Sequence, residues 1–335
     1  MRKFALLAGL LALPAMSPAS ASAAEAPTCP ASCITEYPVP IAVVYNGPFG
    51  IARGFSNDVW FGDQNTIDAI SRDGTFTSYP VPSAGAAVGW VARGTDGNMW
   101  FTERGTGKIG SIDAAGQITE YTIPTPNSVP QAVLQDPSGI VWFTEQGGNK
   151  IGRLDPATGS FTEFAVPTAN AGLQGLALGP DGALWFTERN AAKVGRMDTS
   201  GNFTEYPLTP GSSPQRIVLG PDGALWFTEL GANAVGRVTT SGDLTEYPLA
   251  PGARPVGISV VSGDPAVWVV EFGASAVARM ALDGTITNVY ATPSPAAAPL
   301  QIAAGAGRTL WFTESFLSSN GNKIGRLNPF ANDQS

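Results

Sequence analysis

QGLALGPDGALWFTERNAAKVGRMDTSGNFTEYPL, residues 174–208, holds four apolar runs of strand length: QGLALG, ALWFTE, KVGRMD and FTEYPL. Turn formers separate them, such as Pro180-Asp181-Gly182 and Thr199-Ser200-Gly201. Short apolar runs punctuated in this way read as strands joined by hairpins. The unit recurs along the chain. Aligned on its tryptophan it gives Trp60, Trp100, Trp142, Trp185, Trp226, Trp268 and Trp311, spaced 40, 42, 43, 41, 42 and 43 residues apart. A second marker, Thr-Glu-Tyr-Pro or a variant, starts at Thr35, Thr77, Thr119, Thr162, Thr204, Thr245 and Thr287. A third, KIGRL or a variant, lies between them at 150–154, 193–197, 234–238 and 323–327. Four strands in a period of about 42 residues are the sequence form of a propeller blade. The expected fold is all-β: a seven-bladed β-propeller with four strands per blade.

The order of the markers predicts how the ring closes. The first Thr-Glu-Tyr-Pro precedes the first tryptophan, and the last unit ends in KIGRLNPF without one. Residues 34–40 are therefore expected to supply the outermost strand of the last blade, giving one domain over 34–328 and a tail at 329–335. Closure of this kind leaves no bare strand edge. Within LWFTE, Trp and Phe point to opposite faces and are expected to pack between neighbouring blades. The arginines Arg153, Arg196, Arg237, Arg279 and Arg326 are expected to meet the Thr-Glu-Tyr glutamate or a carbonyl of the adjacent blade.

Of 335 residues, 43% are hydrophobic and only 14% charged, with 40 Gly and 28 Pro, which suits many short turns. Arg2 and Lys3, the apolar run from Phe4 to Met16 and Ala21-Ser22-Ala23 have the form of a secretion signal over 1–24, cleaved near Ala23 or Ala24. The run is too short to span a bilayer. Export as a protein without membrane insertion is the expectation. Cleavage leaves 17 basic residues against 27 acidic, a net charge near −10 that disfavours nucleic acid and anionic lipid as partners. The only cysteines, Cys29 and Cys33, lie in the short segment 25–33 and are expected to form a local disulfide in an oxidising compartment.

The repeated LWFTE…NKIGR…TEYP unit, with an N-terminal strand closing the last blade, resembles the virginiamycin B lyase (streptogramin B lyase) family across residues 34–328. The resemblance implies a Mg-dependent lyase that opens the ester-closed ring of streptogramin B by elimination. It also implies a site where strand A begins and strand B ends. There the family carries a Pro-His-x-Ile pattern on strand A of blades six and seven, an acid two residues before the second histidine, and the glutamate closing WFxxE in blade seven. In this sequence Val256 stands at the first histidine, Leu300 at the second and Ala298 at the acid, and only Glu314 is retained. Valine and leucine neither accept a proton nor bind a metal. The chain contains no histidine at all.

In a repeat protein the positions that differ between units are the informative ones. The strand A position after the Pro reads Phe49, Val88, Gln131, Gln174, Gln215, Val256 and Leu300. These residues are expected to line one mouth of the channel, with an apolar arc facing three amides, and either to plug it or to hold an amphipathic small molecule or peptide. The end of strand B gives a ring of acids, Asp63, Glu103, Glu145, Glu188, Glu229, Glu271 and Glu314. They need partners or a cation: either a divalent metal, with Glu271 and Glu314 as ligands, or a cationic ligand near the axis, or else backbone amides that each acid caps and basic neighbours in its own blade such as Lys108, Lys150, Lys193 and Lys323. Three functions follow: a non-catalytic monomeric ligand binder without a cofactor, a lyase using Glu314 and Mg, or a cell-surface scaffold.

Overall fold

The computed structural model describes residues 33–40, 47–314 and 322–330. Seven four-stranded antiparallel sheets form the blades: 51–80, 88–122, 130–165, 173–207, 214–248, 255–291 and, for the seventh, 299–327 completed by Ile34–Pro38. The first strand of each blade, A, packs against the A strands of its neighbours, which places all seven round the axis, while D is outermost. Closure is as expected: Ile34 pairs with Leu327, Glu36 with Gly325 and Pro38 with Lys323. Cys33 is disulfide-bonded, and the one other cysteine, Cys29, lies outside the described residues with the whole signal-like segment. Among the described residues no helix is long and apolar enough to cross a membrane.

The core consists of seven clusters, one per blade interface. Each combines the tryptophan of one blade with the phenylalanine of the next: Trp60 with Phe101, Trp100 with Phe143, Trp142 with Phe186, Trp185 with Phe227. Trp268 likewise meets Phe312, and Trp311 meets Phe61 across the closure. Blade six has Val269 where the others have Phe, against Trp226. Opposite the Phe on strand C sits a glycine with no room for a side chain, except in blade one, where Asp68 faces Phe61; a Cβ on Gly195 would come within 2.2 Å of Phe186. Where blade six shortens Phe to Val269, its strand C partner grows to Ala278, which conserves the local volume.

Two electrostatic expectations change. Arg196, Arg237 and Arg279 pair with Asp181, Asp222 and Asp264 in the A–B turn of their own blade, not with the Thr-Glu-Tyr glutamate. Arg153 lies over the Trp142 ring, and only Arg326 reaches a carbonyl of the next blade, that of Arg72. The Thr-Glu-Tyr glutamates are met instead by strand C lysines. Lys108 binds Glu120, Lys150 binds Glu163 and Lys323 binds Glu36 at 2.8 Å, and Lys193 binds Glu205 at 2.7 Å. The reason is strand parity. Lys150 and Gly152 share a face, Glu163 pairs with Gly152, and Arg153 points the other way.

Candidate functional site: the channel mouth

Strand A carries a bulge near its start in blades two to seven; between the pairs Pro130–Glu145 and Val133–Phe143, two residues on A oppose one on B. The threonine of LWFTE repairs it. Thr144 Oγ1 accepts the N–H of Ala132 at 3.0 Å and donates to the carbonyl of Gln174 in the next blade at 3.2 Å. Thr187 and Thr228 repeat this link from blade four to five and from five to six. The bulge thus directs two residues per blade at the axis, and the hydroxyl ties them round the ring.

The first of the two is Phe49, Gly89, Gln131, Gln174, Gln215, Val256 and Leu300. Val88 is a correction. It pairs with Glu103 as Pro130 pairs with Glu145, so it occupies the proline position and packs between blades one and two, and Gly89 faces the mouth. Gln131 donates to Gln146 Oε1 at 2.9 Å and Gln215 to the Ser213 carbonyl at 3.0 Å. Val256 and Leu300 are half-buried.

The second reads Gly50, Trp90, Ala132, Gly175, Arg216, Gly257 and Gln301. Two large side chains stand among small ones. Arg216 crosses the channel and its guanidinium carbon sits 3.8 Å from the Trp90 ring centroid and 5.7 Å from that of Phe49. Arg104, directly after the strand B acid of blade two, lies 5.3 Å from the Phe49 centroid. Beyond Arg216 the channel opens into a cavity of about 280 Å³ with mainly apolar walls, among them Ile51, Ile258 and Ile302. Sequence reasoning missed Arg216, Trp90 and Arg104. The usable signal was one column over from the one it read, where an arginine and a tryptophan interrupt Gly and Ala.

The acids at the end of strand B do not converge on the axis. Those of blades two to five and seven reach outward over strand C: the Glu188 carboxyl lies against Gly195 and that of Glu229 against Gly236. Their nearest charged neighbours are the strand D glutamates of the same blade, Glu120, Glu163, Glu205, Glu246 and, for Glu314, Glu36. The strand C lysines make their ion pairs with those outer glutamates and reach the inner acids only through space, lowering Glu103, Glu145, Glu188 and Glu314 by less than burial raises them. Burial, then the neighbouring carboxylate, pushes Glu145, Glu229 and Glu314 up to about 8 and Glu188 to about 7. Burial alone raises Glu271. In Glu188, Glu229 and Glu314 neither carboxyl oxygen accepts a hydrogen bond. A proton on Glu314 makes it a donor to Glu36, which Lys323 and Ser294 hold as the carboxylate against the cost of its burial.

These donors fit Mg²⁺ poorly. Glu314 is fully buried and held protonated, Glu271 is followed on strand C by Ala276, and Val256, Leu300 and Ala298 offer no ligand atoms. Among the described residues no three His, Cys, Asp or Glu side chains cluster as a metal site.

The seven blades close into one ring, and the residues that differ between blades lie at the strand A mouth. The virginiamycin B lyase family profile matches residues 29–158 and 132–332, and this chain belongs to that family. Virginiamycin B lyase from Staphylococcus aureus is 37% identical over 88% of this chain and 98% of its own, with a TM-score of 0.81. A streptogramin B lyase structure is 35% identical over 88% and 97%, also at 0.81. A catalytically inactive histidine-to-alanine form of the S. aureus enzyme, solved with quinupristin, is 37% identical over 88% and 99%, at 0.80. No curated protein matches the chain.

Proposed function

We propose that this chain is an exported, ligand-binding member of the virginiamycin B lyase family that does not perform the family's elimination. The observation that carries the reading is the complete lack of histidine. One histidine-to-alanine change leaves the S. aureus relative catalytically inactive, and here valine and leucine stand at both family histidine positions. Elimination needs a base in contact with the proton it removes. Glu314 has a raised proton affinity, but its carboxyl is buried inside blade seven beside Glu36, away from the channel. The mouth keeps what binding needs: a rigid ring with amides of blades three to five on one side and Phe49, Val256 and Leu300 on the other, suited to a small molecule or peptide. Export rests on the signal-like sequence of residues 1–24.

Mg²⁺ tests the reading through stability. A ligand that binds only the folded state raises Tm in a saturable way. The mature protein is expected to melt at the same temperature in millimolar MgCl2 and in EDTA; a saturable rise with Mg²⁺ lost in Glu314→Gln would restore the metal-dependent reading.

A further inference from the structure

We infer that the channel is a binding site for a compact oxyanion, a carboxylate or phosphate group, held between the guanidiniums of Arg104 and Arg216 against the faces of Phe49 and Trp90. The inference rests on the ligand-binding reading above and adds the chemical class of the ligand.

Arg216 is 4% exposed, and its Nη1 is buried without a hydrogen-bond partner. No carboxylate among the described residues pairs with it, although the more exposed cations Lys108, Lys150, Lys193, Lys323 and Arg279 all have one. A buried charge without a counter-ion is costly, and proteins otherwise pair it. Arg104 repeats the omission. Its Nε is buried and unpartnered, and it converges on the same Phe49 ring. Burial and then the Arg104 charge push Arg216 down to about 9, so both remain cations at neutral pH and repel each other. An oxyanion relieves both at once, because guanidinium donors match carboxylate and phosphate oxygens in a planar fork. The aromatic rings fix the guanidinium planes without consuming their N–H groups. Arg216 and Trp90 also border the cavity of about 280 Å³, which lies on the side of Arg216 away from Arg104 and gives a group bound at Arg216 space along the channel. All this sits in a chain with a formal net charge of −8, so the positive pair is a local feature and not part of a basic surface.

If Arg216 served only to fill the channel by stacking, anions would leave the protein unaffected. Calorimetric titration and thermal melting of the mature protein with sodium phosphate, sulfate and benzoate, against sodium chloride at matched ionic strength, separate the two. Saturable binding of at least one oxyanion is expected, weakened about tenfold or more in Arg216→Met and in Arg104→Gln, since each removes a charge-assisted contact. The exposed Arg189→Gln should bind like the parent. Arg104→Gln decides alone if Arg216→Met does not fold. No response beyond chloride, or one unchanged in Arg104→Gln, overturns the site. Failure here leaves the non-catalytic reading standing, whereas ring opening with intact anion binding would remove that reading and spare the site.

Discussion

Two sets of buried ionisable groups lie near the same face of the ring. In the acids at the end of strand B, five of the seven blades repeat one solution: an inner carboxyl with raised proton affinity, an outer glutamate as carboxylate and, in four of them, a lysine on the outer glutamate. In the channel, Arg104 and Arg216 occur once each and have no partner in the described chain. Repetition marks groups whose electrostatics are solved within the blade, and singularity marks those left open. Glu314, the residue that the sequence resemblance aligns with a family site position, belongs to the first set.

The largest effect should come from breaking what every blade shares. Trp185→Ala empties the interface between blades four and five, where Trp185 is fully buried beside Phe227 and donates to Asp181. A loss of about 3–5 kcal/mol in urea unfolding is expected; under 1 kcal/mol would deny the packing role. Arg104→Gln, by contrast, should unfold no more easily than the parent, since it removes an unpaired charge beside Arg216.

Next is pH. The inner acids titrate at about 7 to 8 when folded against 4.5 for the glutamates' ordinary value, so the folded state holds protons that the unfolded chain has released. Stability should therefore fall as pH rises from about 5 through 8. The outer glutamates, with lowered values, contribute in the opposite sense and lose their share only as pH drops below 4.5. Glu314→Gln, a neutral isostere of the protonated acid, should match the parent in Tm at pH 5 and exceed it at pH 9. A lower Tm at both would show that the ionised form is the one the fold needs.

The smallest effect tests the gap in blade five. Thr209 and Glu246 keep the acceptor positions used elsewhere by lysine, but Ala234 replaces the cation. Ala234→Lys should raise stability by up to about 1 kcal/mol, as partly exposed pairs do, and destabilisation would mean the site cannot seat the chain.

Most of the fold was legible in the sequence because every blade writes it again: strand count, closure by residues 34–38 and the Trp–Phe interfaces all follow from seven copies of one unit. What escaped depended on register and depth. Alternation along KIGR already placed Lys150 and Arg153 on opposite faces, so the glutamate's partner could have been chosen by parity. The Val88 slip arose because blade two lacks the proline that marks the strand start. The Arg104–Arg216 pair could not be read from spacing, since its members are 112 positions apart in number and meet only across the closed channel.

The central claim, a family scaffold without the family's chemistry, is tested most directly by a time course. Purified mature protein with Mg²⁺ and streptogramin B, followed by mass spectrometry for the linear product, should show no ring opening above the protein-free control. Linear product accumulating in proportion to protein concentration, and abolished in Glu314→Gln, would contradict the account.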